Sequence, residues 1–339
     1  MTLASRAAKA EVRTDGRTED RAGHRTDDDR PSILHRLRPD PGALRLAGAE
    51  PDHWFAAAAA DARSADEAEF ARHGCVRFAS EGEWLYGCAE VDDASVGGMQ
   101  AAGRRAYADV FEVLARSASP HPLRLWNYFP AINADGGGAE RYRQFNVGRQ
   151  QAFLDAGRSA FDGAPAACAL GTPGGPLRVY FLAGRRPPLP IENPRQVSAY
   201  RYPEAYGPRS PTFSRAALAE LDATRTALFI SGTASIVGHA TLHAGDVRRQ
   251  TAESLANIAA VRAVAAERAG LPFPAEALNY TLYVRVAADL AAVREVFEQS
   301  IGAAQPAARE AIYLHADICR ADLLVEIEAH GISRRPDSR

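Results

Sequence analysis

The sequence has few cysteines, little excess of either charge and no long apolar run. It contains four cysteines among 339 residues, and its formal net charge is −2. Cys75, Cys88, Cys168 and Cys319 lack the spacing of a metal or redox site, which predicts reduced thiols in a cytoplasmic protein without a metal. The near balance of charge argues against nucleic-acid or anionic-membrane partners. No stretch approaches the roughly 18 apolar residues of a membrane helix, and the N-terminus lacks a signal-peptide pattern.

The length and composition predict two domains of ordinary size. Hydrophobic residues make up 46% of the chain, which is enough for two cores. Residues 1–44 are rich in Arg, Asp, Thr and Glu, so we expect a disordered tail. A first domain at 45–183 and a second at 214–339 are joined by a connector at 184–213. Its many Pro and Arg residues favour either a long ordered loop or a flexible linker.

Both halves have the same predicted order of elements, β-β-α-β-α-β-β, which indicates an internal duplication. In the first half, the apolar residues of 99–117 recur with a helical period. In the second half, 227–234 and 235–241 are predicted as two strands around a glycine turn, and 250–269 as a helix. Strands alternating with helices predict an α+β fold of two tandem domains, each a mixed sheet with helices packed on one face.

The C-terminal stretch 319–329 groups two acids with a thiol and a cation. Apolar residues at 325, 327 and 329 alternate with Glu326 and Glu328, and this period of two predicts a strand with one apolar and one acidic face. The two carboxylates would lie about 6.6 Å apart along that strand. Cys319 and Arg320 come just upstream. The alternative interpretation is an acidic face exposed to solvent, where Asp and Glu usually lie.

The second half resembles the Rid (YjgF-like) family in several sequence runs. They are Phe229-Ile230-Ser231-Gly232-Thr233, Gln250-Thr251, Ser254-Leu255-Ala256-Asn257, Tyr283-Val284-Arg285, and Arg320 followed by Val325-Glu326-Ile327-Glu328-Ala329. The resemblance implies a chorismate-mutase-like α+β unit. It also implies small-molecule sites in clefts between adjacent units, where the Arg of the last segment binds a substrate carboxylate.

Further runs, in the correct order, make residues 45–331 similar to the chorismatase family. They are Leu125-Trp126-Asn127-Tyr128, Glu140-Arg141-Tyr142-Arg143-Gln144-Phe145-Asn146-Val147-Gly148-Arg149, Ala166-Ala167-Cys168-Ala169-Leu170-Gly171-Thr172, Tyr206-Gly207-Pro208-Arg209-Ser210-Pro211, Ser231-Gly232-Thr233-Ala234-Ser235-Ile236-Val237-Gly238-His239, and Cys319-Arg320 to Glu328. The resemblance implies two Rid-like domains in one chain with a single active site at their interface. It implies removal of the enolpyruvyl side chain of chorismate as pyruvate, without a cofactor.

The resemblance assigns roles to individual residues. Chorismate carries two carboxylates, which the planar fork of Arg can pair bidentately. The substrate-binding residues are expected to be Tyr142, Arg149, Tyr206, Arg209 and Arg320, although any single Arg could instead form a structural or surface ion pair. Breaking the enol ether requires an acid that holds its proton near neutral pH, and Glu326 matches the family's catalytic position. Glu328 could add a like charge beside it, or it could be a structural or solvent-facing carboxylate.

Two small residues are expected to decide the product. If water is admitted, a trans-dihydroxycyclohexadiene carboxylate forms. If water is excluded, the neighbouring hydroxyl of the substrate attacks and 3-hydroxybenzoate follows through an epoxide. In the family, Gly232 and Cys319 are the positions that go with this choice, and here they resemble the type that forms 3-hydroxybenzoate, with some 4-hydroxybenzoate in certain members. A buried Cys is otherwise often just a small hydrophobic residue.

Two other functions are compatible with parts of the pattern. One is a Rid-type enamine/imine deaminase, which would not need the first domain or the Arg- and Tyr-rich connector. The other is a binding protein that keeps the cleft without chemistry, since fold alone does not prove activity. Two Rid-like units in one chain fit a monomer or a small homo-oligomer that acts on a small molecule.

Overall fold

The computed structural model describes residues 71–335 together with the backbone of two short strands, β1 (His35–Arg36) and β2 (Arg45–Leu46). Apart from β1, the predicted disordered tail at 1–44 lies outside the described residues. Strand β1 pairs antiparallel with a strand of the second half, with His35 opposite His315.

Among the described residues from 71 to 184, the first half contains six strands and two long helices. In chain order they are β3 (Ala71–His73), β4 (Val76–Glu81), β5 (Trp84–Val91), α1 (Met99–Ala115), β6 (His121–Pro130), α2 (Arg141–Asp155), β7 (Ala166–Thr172) and β8 (Leu177–Gly184).

The connector and the second half contain the remaining elements. They are β9 (Leu189–Ile191), β10 (Ala216–Glu220), β11 (Arg225–Ala234), β12 (Ile236–Val237), β13 (Ala240–Thr241), α3 (Val247–Ala269), β14 (Asn279–Val284), α4 (Leu290–Ile301), α5 (Pro306–Arg309), β15 (Ile312–His315), β16 (Asp317–Ile318) and β17 (Val325–Arg334).

The two halves repeat one sheet topology. The first sheet has the order β16-β7-β6-β8-β5-β4-β3, and the second has the order β2-β1-β15-β14-β17-β11-β10-β9. Within them, β7-β6-β8-β5-β4 corresponds to β15-β14-β17-β11-β10. In each set the first pair of strands is parallel and the others are antiparallel. Both halves therefore have the order β-β-α-β-α-β-β, although the opening strand of the second half is β10 and not the predicted one at 235–241.

The sheets pack face to face, and helices cover their outer faces. On β6, Leu125 and Phe129 lie in the core beneath α1 and α2, whereas Trp126 and Tyr128 point into the layer between the sheets. On β17, the apolar residues at 325, 327 and 329 lie in the core beneath α3 and α4. Because side chains alternate along a strand, the opposite face of β17 must enter the layer between the sheets. The predicted α+β class, with mixed sheets and helices on one face of each, is confirmed.

One predicted strand is wrong. Residues 235–241 do not continue the main sheet but form the small hairpin β12–β13 around Gly238, which has φ +59°. The antiparallel partner of β11 on this side is β10, which precedes it. Strand β10 is largely alanine, a residue with weak strand propensity, so its pattern gave no strand signal.

The connector packs onto the second half. It adds β9 at the edge of the second sheet, where Pro190 is tolerated because an edge strand leaves one side unpaired. Two 3₁₀ turns follow, Ala199–Arg201 and Glu204–Tyr206. The connector is thus an ordered loop that brings two tyrosines, Tyr202 and Tyr206, towards the domain interface.

Gly148 lies where α2 packs against α1. A methyl group at this position would overlap the Gln100 carbonyl oxygen and lie 2.9 Å from the Arg104 backbone nitrogen. Gly148→Ala should push the helices apart and lower the free energy of unfolding by about 2–3 kcal/mol, measured by urea denaturation. Gly174→Ala is the matched control, because nothing lies within 4 Å of its added methyl group. Equal effects of the two substitutions would contradict this packing.

Candidate active site

A cavity of about 400 Å³ lies between the two halves. Its walls come from α2, the connector, β11, the β12–β13 hairpin and the segment from β16 to β17. The lining residues that carry the chemistry discussed below are Tyr142, Tyr202, Tyr206, Arg215, Gly232, Cys319, Arg320 and Glu326.

The loop that carries Cys319 and Arg320 is held by a strand that crosses between the sheets. Strand β16 leaves the second half and pairs with β7 of the first, so that Ile318 lies opposite Leu170. The Arg285 guanidinium then donates from Nε to the Leu323 carbonyl at 2.7 Å, and from Nη2 to the Ile318 and Arg320 carbonyls at 2.9 Å each. These bonds tie both ends of the loop to one cation.

Glu326 is a buried carboxyl group with few hydrogen-bond partners among the described residues. It is 3% exposed on β17, and the Cys319 thiol donates to its Oε2 at 3.9 Å. A methyl group at Gly232 would overlap its Oε1 and lie 2.7 Å from its Cδ. Burial is the main cause that raises the pKa of Glu326 to about 8, and the charge of Glu328 adds to it. The side chain therefore holds its proton at neutral pH.

Glu328 has a different environment two residues further along the same face. It is 7% exposed and forms an ion pair with Arg124. It also accepts from the Trp126 indole at 3.2 Å and from the Tyr283 hydroxyl at 3.0 Å. The solvent-exposed interpretation of the acidic face is therefore wrong, because this face is enclosed between two sheets. Glu328 does not line the cavity.

Two guanidinium groups meet around the aromatic rings of the connector. The Arg215 Nη2 donates to the Tyr202 hydroxyl and to the Val197 carbonyl, both at 2.8 Å. The Arg320 guanidinium lies 5.1 Å from the Tyr202 ring centroid and 4.1 Å from that of Tyr206. Each keeps one buried N–H group, Nε of Arg215 and Nη2 of Arg320, without a partner among the described residues. Both residues line the cavity, so an anion bound there would lie close to two guanidinium groups.

Tyr206 and His239 lie together beside the cavity. The Tyr206 hydroxyl is 3.1 Å from the His239 Nδ1, and Arg320 Nη1 donates to the His239 carbonyl at 2.9 Å. The β12–β13 hairpin, which contains His239, therefore fixes both the connector and the cation of the C-terminal loop.

Six of the eight predicted site residues line this cavity. They are Tyr142, Tyr206, Gly232, Cys319, Arg320 and Glu326. Arg149 and Arg209 are not brought to it. Arg149 is 1% exposed beneath the helices, where it donates to Asn146 at 2.8 Å and lies over the Phe145 ring. Arg209 is exposed on the connector. Each of these residues belongs to a sequence run that resembles the family. The fold nevertheless does not bring either guanidinium group into the cavity.

Arg215 and Tyr202 are the residues that sequence reasoning missed. Arg215 immediately precedes β10, the alanine-rich strand that gave no pattern, so nothing in the sequence indicated which way it faces. Tyr202 belongs to the Pro-rich connector, whose path depends on its packing against the second half. The only available signal was the clustering of Arg and Tyr in and directly after the connector.

Comparison with known proteins identifies the family. A family model described as chorismatase FkbO/Hyg5-like, N-terminal, matches residues 62–183. A 3-hydroxybenzoate synthase of Streptomyces hygroscopicus is 40% identical over 271 residues, which are 77% of this chain and 78% of that protein. The chain belongs to the chorismatase family. A protein of Streptomyces rapamycinicus named chorismatase is likewise 40% identical, over 77% of this chain and 78% of its own.

The fold agrees with a solved chorismatase. A chorismatase crystal structure superposes with a TM-score of 0.70 at 31% sequence identity, covering 88% of this chain and 85% of that one.

Among the described residues, no group of three or more His, Cys, Asp or Glu side chains could hold a metal ion. Within residues 71–335 no helix is both long and apolar enough to span a bilayer.

Proposed function

We propose that this chorismatase family member cleaves chorismate to 3-hydroxybenzoate and pyruvate in the cavity between its two halves. The observation that carries the proposal is a protonated carboxyl group, Glu326, in the same cavity as two guanidinium groups. Each of these guanidinium groups has one N–H donor without a partner among the described residues. The relatives named 3-hydroxybenzoate synthase and chorismatase support it. No cofactor takes part in this reaction scheme.

Substrate binding rests on the two cations. Chorismate is a dianion, and Arg215 and Arg320 would each pair one of its carboxylates. The Tyr202 and Tyr206 rings hold the guanidinium groups in place, so little conformational entropy is lost when the substrate binds. Tyr142 and Tyr206 supply hydroxyl groups at the cavity wall.

The chemical step begins with proton transfer from Glu326. The proton goes to the methylene carbon of the enolpyruvyl group, and the ether carbon takes up positive charge. The bond between the ring carbon and the ether oxygen then breaks. Its electron pair forms the carbonyl group of pyruvate. Glu326 is left as a carboxylate that can accept the proton of the attacking hydroxyl.

The absence of water from the net reaction fits the burial of the acid. The ring hydroxyl next to the broken bond attacks the ring carbon, which gives an epoxide that aromatises to 3-hydroxybenzoate. Chorismate thus divides into two products with no uptake of water, whereas formation of the diene diol consumes one water molecule. Gly232 and Cys319 are the small neighbours that let Glu326 lie against the wall of the cavity.

The test is incubation of the purified protein with chorismate. Pyruvate is followed by a coupled assay, and the aromatic product is identified by chromatography. We expect 3-hydroxybenzoate, together with any 4-hydroxybenzoate, in a one-to-one ratio with pyruvate. Formation of a diene diol would still show that chorismate is cleaved, but it would overturn the assignment of 3-hydroxybenzoate as the product. Binding without turnover, or hydrolysis of an imine substrate instead, would overturn the proposal.

Arg215 should be required for substrate binding. Arg215→Met removes one cation and its open Nε donor, so we expect KM for chorismate to rise about 10- to 100-fold. Steady-state kinetics measures this. Arg201→Met, at an exposed position of the connector, is the control and should leave KM near the wild-type value. An unchanged KM in Arg215→Met would remove Arg215 from the binding site.

We further propose that the enzyme works in the cytoplasm on this small molecule. All four cysteines are free, which suits a reducing compartment.

A further inference from the structure

The two carboxyl groups on the inner face of β17 line two different cavities. Glu326 lines the proposed substrate cavity, which Glu328 does not reach. A second cavity of about 300 Å³ is lined by Arg124, Trp126 and Glu328, but not by Glu326. Glu328 therefore makes no direct contact with a substrate in the proposed cavity.

The surroundings of Glu328 stabilise a negative charge. Arg124, 2% exposed, forms its ion pair, while the Trp126 indole and the Tyr283 hydroxyl donate to Oε1. The Tyr283 hydroxyl also lies 2.9 Å from that of Tyr128, so the donor is itself held in place. Hydrogen bonds and an opposite charge both favour the ionised form of a carboxyl group.

The surroundings of Glu326 oppose a negative charge. Besides Glu328, the groups that face it are Arg124 from β6, Arg215 before β10, and the Cys319 thiol. Cys168 on β7 and Tyr142 on α2 are also within electrostatic range. The other charged residues that line the same cavity are Glu140, Arg143, Arg320 and Asp322. The Arg124 charge is already paired, and Arg215 and Arg320 are both assigned to the substrate. Two neighbouring acids in such unequal environments divide into one carboxylate and one proton donor.

We propose that Glu328, fixed as a carboxylate by Arg124, Trp126 and Tyr283, is a positioning residue that keeps Glu326 protonated for its role as the acid. The inference rests on the proposed function of Glu326 as the proton donor. The Arg124–Glu328 pair performs no chemistry itself. It contributes a fixed negative charge two residues along the strand from the acid.

The pH dependence of the rate tests this role. The wild type should lose activity as pH rises through about 8, where Glu326 loses its proton. Glu328→Gln removes the like charge and leaves Arg124 unpaired, and both changes favour ionisation of Glu326. We therefore expect the alkaline limb of the pH–rate profile to move down by about one pH unit or more, with a loss of kcat of about fivefold or more at pH 8. Glu267→Gln, at an exposed position of α3, removes the same charge far away and should leave the profile unchanged.

A double variant covers the case in which an unpaired Arg124 prevents folding. Arg124→Met with Glu328→Gln removes both charges, and its alkaline limb should move down by less than that of the single variant. If both variants are active with an unshifted limb and only a lower kcat, Glu328 is merely structural and the inference is overturned.

An infrared titration of Glu326, which does not require the enzyme to turn over substrate, tests this inference separately from the proposed function. The infrared carbonyl band of protonated Glu326, assigned by its loss in Glu326→Gln, can be titrated in the wild type and in Glu328→Gln. A midpoint lower in Glu328→Gln supports the inference even if chorismate is not cleaved, and equal midpoints overturn it. A wild type that releases no pyruvate counts against the proposed function alone.

Discussion

Glu326→Gln is expected to lower kcat for pyruvate release about 10²- to 10⁴-fold, the usual contribution of a general acid. The substitution keeps the shape of the side chain but removes the proton that the enolpyruvyl group requires. Binding should change little, because Arg215 and Arg320 are untouched. Steady-state kinetics with chorismate separates kcat from KM. A variant with wild-type kcat would show that another group is the acid.

The same substitution should make the protein more resistant to alkaline pH. The pKa of Glu326 rises from 4.5 to about 8 on folding, so between these values the native state binds more protons than the unfolded state. Its contribution to stability is complete below pH 4.5 and is lost as pH rises towards 8, by up to about 1.4 kcal/mol per pH unit. Gln does not titrate. Urea denaturation at pH 5 and pH 8.5 should therefore show that the free energy of unfolding of the variant increases relative to that of the wild type as pH rises.

Gly232→Ala is expected to change the product and to lower kcat about tenfold or more. The added methyl group would occupy the place of Glu326 Oε1 and approach Cys168 Cβ to 2.9 Å, so the carboxyl group must move away from the wall. The displaced acid no longer aligns with the enolpyruvyl methylene, and the space it leaves admits water. We expect part of the product to shift from 3-hydroxybenzoate to the diene diol, as measured by chromatography.

A second substitution tests whether the clash is the cause. Glu326→Asp shortens the side chain by one methylene group and frees the space that the new methyl group needs. Gly232→Ala combined with Glu326→Asp should therefore recover stability relative to Gly232→Ala alone, although its kcat stays low. Wild-type rate and product ratio in Gly232→Ala would contradict the close approach of Gly232 and Glu326.

Much of the site could be predicted because short-range patterns decide it. The alternation along β17 places Glu326 and Glu328 on one face, whatever lies opposite. What lies opposite depends on the packing of the two sheets, which brings Arg124 from β6 to Glu328. The sequence therefore could not tell that one carboxylate is paired and the other is a buried acid. The same limit explains why Arg149, in a matching motif, lies beneath the helices instead of in the cavity.

The elements that were predicted wrongly share a physical reason. Residues 235–241 have strand-like composition, but they turn at Gly238 and never join the main sheet. Strand β10 has the weak propensity of alanine and exists because β11 and β9 pair with it on both sides. Tertiary pairing overrides local preference in both places. Because β10 was missed, Arg215 was missed with it.

We propose that chorismate is cleaved at Glu326 by attack of its own hydroxyl group, without water. Cleavage in oxygen-18 water, with pyruvate trapped at once by lactate dehydrogenase, tests it most directly. We expect one lactate for each hydroxybenzoate and no label from water in the oxygen atom at C2 of lactate or in the ring hydroxyl. Label in either position, or no pyruvate from a folded protein, would contradict it.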